Sequence, residues 1–280
     1  MVTRTQIAEA DVTGWSGVIY TCNCGYFDLG HGNPHKAAWN VGASALWEQL
    51  VKEPSDNAVV EQFRRPPMGE PGAGAANAMF WLLHDPTARF PDGAPGFAVE
   101  YQQDMGRRIA GLRVTPAAFN RRYLVRRGLS TEEKKAVALA IFIEVTMGFE
   151  HLQGEWPWGW IPQSAQSSFS LEDTVSDLIG FYIAIGEITR ADALAACHPC
   201  SVAASLAMWD GNPHLASLKN QTFKPVLLND TRVRYAAGNP SDECTGQARM
   251  FPFAFQRIKP APKGQNFIDM PYAPDLHRRP

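Results

Sequence analysis

From Ala136 to Phe149 the chain reads AVALAIFIEVTMGF, apolar at nearly every position and carrying one charge, Glu144. A helix that is apolar almost all round belongs in a protein interior. Ser130-Thr131-Glu132-Glu133 just ahead has the form of a capping box. The pattern therefore predicts a central helix from Ser130 to about Leu152, near Gly154.

Upstream, residues 14–30 read as a strand, with Val18, Tyr20 and Cys22 alternating with Ile19 and Thr21. A Gly-rich turn through Gly30, His31, Gly32 and His35 follows. Ala38, Val41, Ala45, Leu46 and Leu50 recur at the helical period and predict a helix over 36–52. Pro and Gly then mark loop, with a short helix over 75–83. Phe97–Gln103 reads as a strand, Asp104-Met105-Gly106 as a hairpin turn, Arg107–Val114 as the return strand, and Phe119–Arg127 as one more strand. Downstream, Ser170 is expected to cap a helix reaching Ile188, with Asp173 at its third position and Glu172 favoured by the helix dipole. Thr189 caps a helix over Arg190–Cys197, and Ser201–Trp209 forms another. No repeat or low-complexity linker divides the chain. The expected architecture is a single α+β domain over 1–280. A small antiparallel sheet packs against a helical core with buried central helices, and residues from about 211 to 280 are extended and loop-rich.

Composition narrows the function classes. With 45% hydrophobic and only 19% charged residues the chain can bury a sizeable core. A net charge of -2, with Arg pairs scattered at 64–65, 107–108, 121–122 and 126–127, argues against a nucleic-acid partner. The longest apolar run falls short of the roughly 20 residues a bilayer requires, so no membrane span is expected. The first fifteen residues lack the apolar stretch of a signal peptide. Compartment and oligomeric state leave no mark.

The chemistry-bearing residues fall in four places. An ionised carboxylate in apolar surroundings costs several kcal/mol, by order of magnitude, unless paired or protonated, which singles out Glu144. Val137, Ile141, Glu144, Gly148 and His151 follow steps of four and three, so Glu144 and His151 share a face with a glycine between them. That stripe suits a metal pair or a carboxylate–imidazole acid/base pair; the plainer alternative ties Glu144 to an Arg or to loop N–H groups. Second, His31 lies in a turn after a strand, where Asp28 can orient it. Together His31, Glu144 and His151 make a candidate set for a divalent metal such as zinc. Third, capping accounts for Ser170 and Glu172 but not for Asp177, one turn inside an apolar helix and on one face with Asp173. Trp156, Trp158, Ser168, Ser170 and Asp177 are candidate substrate contacts, the tryptophans lying in an aromatic loop. Fourth, Cys22-Asn-Cys24 and Cys197-His-Pro-Cys200 can supply a four-thiolate structural zinc site, with Cys244 left over. Buried free thiols are the alternative. The stock motifs of zinc proteases, serine hydrolases and nucleotide binding are absent.

Three segments together resemble a bacterial domain family of unknown function, family 4056: Cys24-Gly-Tyr-Phe-Asp-Leu-Gly-His31, Arg127-Gly-Leu-Ser130 leading to Glu144 and Gly148-Phe-Glu150, and Ser168-Phe-Ser-Leu-Glu-Asp-Thr-Val-Ser-Asp-Leu-Ile-Gly180. The resemblance covers roughly residues 18–185. It departs from the pattern at Ile143, where a histidine often precedes the matching glutamate. The family carries no established activity, and its members are often exported lipoproteins. The expectation is a hydrolase acting on an amide or glycan of cell-wall type, with its cleft between the His31 turn, the Glu144/His151 helix and the Ser168–Asp177 helix start. In it Glu144 is the general acid/base or metal ligand, His31 and His151 are ligands or proton carriers, and Asp177 orients them. The alternative is a non-catalytic binding domain that uses the Trp156–Trp160 loop as its contact surface.

Overall fold

The computed structural model describes residues 2–33, 41–53, 89–104, 107–109, 112–114, 118–154, 168–227 and 242–270. The first sheet is a tight hairpin, β1 (Val18–Thr21) and β2 (Gly25–Asp28), with Ile19 opposite Phe27 and Tyr20 opposite Tyr26. Successive strand residues point to opposite faces, and here both faces are covered. Ile19 and Phe27 enter the larger apolar core, while Val18, Tyr20, Cys22 and Tyr26 enter a second, smaller one with Ile7, Met208 and Leu215. The hairpin is a wall between two cores, which is why its sequence lacks a polar face.

The larger sheet runs β3 (Gly96–Asp104), β6 (Ala118–Arg126), β7 (Phe267–Asp269), all antiparallel neighbours. Two short strands, β4 (Arg107–Ile109) and β5 (Leu112–Val114), pair only with each other. The expected return strand over Arg107–Val114 is thus corrected. That span holds two strands that pair with each other, and β3 pairs instead with β6, from Gly96 opposite Arg126 to Asp104 opposite Ala118. Matching apolar residues decide the pairing: Phe97 and Val99 lie opposite Val125 and Tyr123, all four buried in the core.

Six α-helices complete the described chain: α1 (Arg4–Ala8), α2 (Ala43–Lys52), α3 (Thr131–Gly154), α4 (Asp173–Ala184), α5 (Arg190–Cys197) and α6 (Val202–Asp210). The box before α3 forms as expected. The Ser130 N–H donates to Glu133 Oε2 at 2.9 Å, and the Glu133 N–H to Ser130 Oγ at 3.3 Å. Thr189 and Ser201 cap α5 and α6 through the N–H groups of Asp192 and Ala204. At α4 the expectation is corrected. The helix begins at Asp173 and ends at Ala184, with Glu172 at its N-cap position and no side-chain cap; Asp173 Oδ2 reaches back to accept the Ser170 N–H at 3.1 Å. The expected helix over 36–52 is seen from Ala43; residues 34–40 and the helix expected over 75–83 lie outside the described residues.

Helix α3 buries Val137, Ala138, Ile141, Phe142 and Val145 against the sheet and against Val175, Ile179 and Phe181 of α4. It is not buried all round: Ala140, Ile143, Glu144, Met147 and Gly148 lie on a half-open stripe that ends at the exposed His151. By length and composition alone Thr131–Gln153 is also apolar enough to cross a membrane. The loop-rich C-terminal segment contributes more than a wrap. It supplies β7 and buries Phe255 and Phe267 in the larger core.

Candidate functional site

The end of β2 delivers Asp28 and, through a tight turn, His31. Asp28 Oδ1 accepts the N–H groups of Gly30 at 2.7 Å and His31 at 3.1 Å, which fixes the turn. The Asp28 N–H donates to Ser176 Oγ at 2.9 Å, and that hydroxyl donates to the Glu172 carbonyl at 2.7 Å. Strand end and helix start are thereby stitched together. Gly180 completes the docking, since a Cβ there would lie 2.7 Å from the His31 carbonyl oxygen. Only a residue without a side chain lets the turn rest on α4.

So placed, His31 Nδ1 faces Asp173 Oδ1 at 3.7 Å and Asp177 Oδ1 at 3.6 Å, two acids one turn apart on the same helix face. Glu150, from the last turns of α3, closes the group. Its buried carboxylate accepts the Phe169 N–H, and its carbonyl accepts Ser168 Oγ at 2.7 Å. Phe169 is held with φ at 51°, a left-handed backbone that is rare for a bulky residue. Asn220 binds its carbonyl at 2.9 Å, and the His151 ring packs edge-on against its own at 4.9 Å. Glu172 is buried, and its Oε2 has no hydrogen-bond partner among the described residues.

The electrostatics follow from crowding acids into a dry place. Burial opposes the charge on the half-exposed His31, but attraction to Asp28, Asp177, Asp173 and Glu172 outweighs it and pushes the imidazole up to about 10. Burial raises Asp177 to about 7; His31 and a hydrogen bond from Gln103 restrain the rise, and Asp173 and Asp28 add to it. Burial, then repulsion from Asp173, lifts Glu150 to about 8. Glu172 is raised well above the carboxylate range by the same two causes. Gln103 also donates to Thr146 Oγ1 at 2.8 Å, linking Asp177 to the middle of α3.

The sequence-derived site residues divide. His31, Asp28 and Asp177 are brought together. Glu144 is not with them: its carboxylate binds Lys263 Nζ at 2.7 and 2.8 Å, Lys263 also reaches Asp269 at 2.8 Å, and the glutamate side chain is 36% exposed. The lone acid of the apolar helix is therefore a surface ion-pair member, of the kind the plainer reading assigned to an arginine. Gly148 makes room for the Phe119 ring, whose nearest atoms would lie 2.4 Å from a Cβ. His151 is exposed, touching Phe169. The proposed metal set His31, Glu144 and His151 is not assembled; among the described residues only Cys22, Cys200 and Cys244 place three donor atoms within 4.8 Å of one another. Ser168 and Ser170 are buried; Ser168 Oγ donates to the Glu150 carbonyl and the Ser170 N–H to Asp173 Oδ2. Trp156 and Trp158, with the whole Trp156–Trp160 loop, lie outside the described residues.

Glu150 and the site role of Glu172 are not read from the sequence, whereas Asp173, on one face with Asp177, is. The available signal was a polar stripe: Thr146, Glu150 and Gln153, at steps of four and three, are all buried on an otherwise apolar helix.

The cysteines regroup. Cys22 and Cys244 form a disulfide, and Cys200 Sγ lies 3.6 Å from each of their sulfurs. Cys24, a free thiol, lies instead beside the free thiol of Cys197 in the other core, where burial and that neighbour raise its pKa. The expected quartet Cys22, Cys24, Cys197, Cys200 is corrected, because the hairpin turn sends Cys22 and Cys24 into different cores. Three buried cysteines, 22, 200 and 244, lie close enough to hold a metal. The chain matches no protein-family model, no curated protein and no solved structure.

Proposed function

We propose that the protein is a hydrolase whose acid–base group is Asp177 and Asp173 opposite His31. The observation that carries this reading is the convergence of segments 28–31, 150 and 172–177 on one imidazole. An acid poised near 7 beside further carboxylates gives a proton donor and an acceptor in one place at neutral pH. Asp177 serves as the acid and Asp173 as the carboxylate that draws a proton from water. His31, held as an imidazolium and half-exposed, stabilises negative charge that develops on the substrate. Asp28 and Glu150 are positioning residues: one fixes the His31 turn, the other ties Ser168 and Phe169 to the end of α3. The substrate class, an amide or glycan of cell-wall type, rests on the resemblance to family 4056 and the export of its members. A divalent metal such as zinc belongs, in this reading, with the cysteines and not with His31.

The test is hydrolysis of peptidoglycan fragments and of their component peptides, followed by mass spectrometry. Asp177→Asn and His31→Gln are each expected to lower the rate at least 100-fold in chains that still fold by circular dichroism, and Glu144→Gln to leave the rate unchanged. Full turnover by Asp177→Asn, or inertness of the wild-type chain towards both substrate classes, removes the proposal.

A further inference from the structure

The structure assigns a second, separate site: Cys22, Cys200 and Cys244 form a three-thiolate pocket for a soft d10 cation, closed while Cys22 and Cys244 are joined and opened when a reductant parts them. Cys200 alone already stands at the right spacing. With a metal–sulfur bond of roughly 2.3 Å, two thiolates on a tetrahedral ion lie about 3.8 Å apart, close to the 3.6 Å from Cys200 to either partner.

The scaffold holds the three sulfurs without help from the disulfide. Cys22 and Cys200 are clamped across a backbone ladder, the Cys22 N–H donating to the His198 carbonyl at 3.0 Å and the Cys200 N–H to the Tyr20 carbonyl at 2.9 Å. Cys244 arrives on a short helical turn, Asp242–Cys244. The neighbouring Glu243 accepts both the N–H and the hydroxyl of Ser201, each at 2.7 Å, and so anchors that turn to the start of α6. Arg249 then pins the following loop through its N–H to Asn23 Oδ1 at 3.1 Å. All three cysteines are buried in the smaller core.

The obvious competitor is thiol–disulfide exchange, with Cys200 as the attacking group. Displacement at sulfur needs an attacker on the extension of the bond being broken. Cys200 is equidistant from both sulfurs and so sits beside the bond, which favours sharing a cation over exchange. The balance is simple. A water-soluble phosphine gives two electrons to the Cys22–Cys244 bond and takes the oxygen of one water, whose two hydrogens end on the two thiols. The three thiols then release three protons as the cation binds, without change of its oxidation state.

The experiment uses the whole chain, oxidised and phosphine-reduced, titrated anaerobically with Zn2+ and separately with Cu+ against a chromophoric chelator, with elemental analysis after desalting. One equivalent of either ion bound by the reduced chain and none by the oxidised chain is expected. Cys200→Ser should weaken binding at least 100-fold, and Cys24→Ser should leave it unchanged. Zinc uptake identifies a site that recruits a fourth ligand, and uptake of Cu+ alone a three-coordinate one. Equal binding by the oxidised chain, unchanged affinity in Cys200→Ser, loss in Cys24→Ser or no uptake of either ion overturns the assignment. Hydrolysis is not read, so the result is independent of the acid–base site.

Discussion

Glu150 shows how much a single side chain's surroundings decide. It is 3% exposed, and the fold raises it from the ordinary carboxylate range to about 8. A group whose folded value lies above its unfolded one keeps its proton longer in the native state, so stability falls as pH rises. For Glu150 the loss begins near 4.5, its ordinary value, and is complete beyond about 8. Glu150→Gln removes this dependence and can still accept the Phe169 N–H. The variant is expected to match the wild type near pH 4 and exceed it at pH 9 by a few kcal/mol, at roughly 1.4 kcal/mol per unit. Urea unfolding at pH 4, 6.5 and 9 checks it. Parallel profiles for the two proteins would show that burial of this acid carries no such penalty.

Among the elements, α4 is where docking and chemistry meet. Its Gly180 carries the His31 turn while Asp173 and Asp177, two turns and one turn earlier, face the ring. Gly180→Ala meets backbone and not a flexible side chain, so the turn must lift away. The expected cost is about 1–3 kcal/mol, as for overpacked positions, measured by thermal unfolding. NMR titration should show the His31 pKa falling as its acids recede. An unmoved imidazole in a folded Gly180→Ala protein would mean that the turn is held from elsewhere.

The same elements show what the sequence made legible. Strands over 97–103 and 119–127, the α3 box and the caps at Thr189 and Ser201 follow from local rules and lie where those rules put them. The partner of β3 was misread, because adjacency in sequence favoured 107–114 while the matched apolar faces favoured β6. In a helix as apolar as α3 the spacing of Thr146, Glu150 and Gln153 is the one polar stripe that marks Glu150, which turns inward to Phe169. Nothing local says that Glu144 turns to the half-open side and meets Lys263. Glu172 reads as a helix-start acid because such acids suit the dipole whatever else they do, and Asp173 reads both that way and as a partner of Asp177 on one face. That they also crowd His31 depends on the β2 turn, far away in sequence.

At the scale of the whole molecule, the loop-rich C-terminal segment is structural. Phe267 is 2% exposed, packs edge-on against Tyr123 at 5.9 Å, and sits on the strand that completes the main sheet. Phe267→Ala is expected to cost about 3–5 kcal/mol, as for other buried phenylalanines, read from chemical denaturation. A loss below 1 kcal/mol would show that the last strand is ornamental to the fold.

The lateness of β7 has a consequence for biogenesis. A ribosome makes β6 well before Phe267–Asp269, so the Tyr123–Val125 edge that β7 covers has no such cover until the C-terminal segment has been made. During that interval the nascent chain offers a template to any passing strand, and it is then that a holding chaperone would matter most.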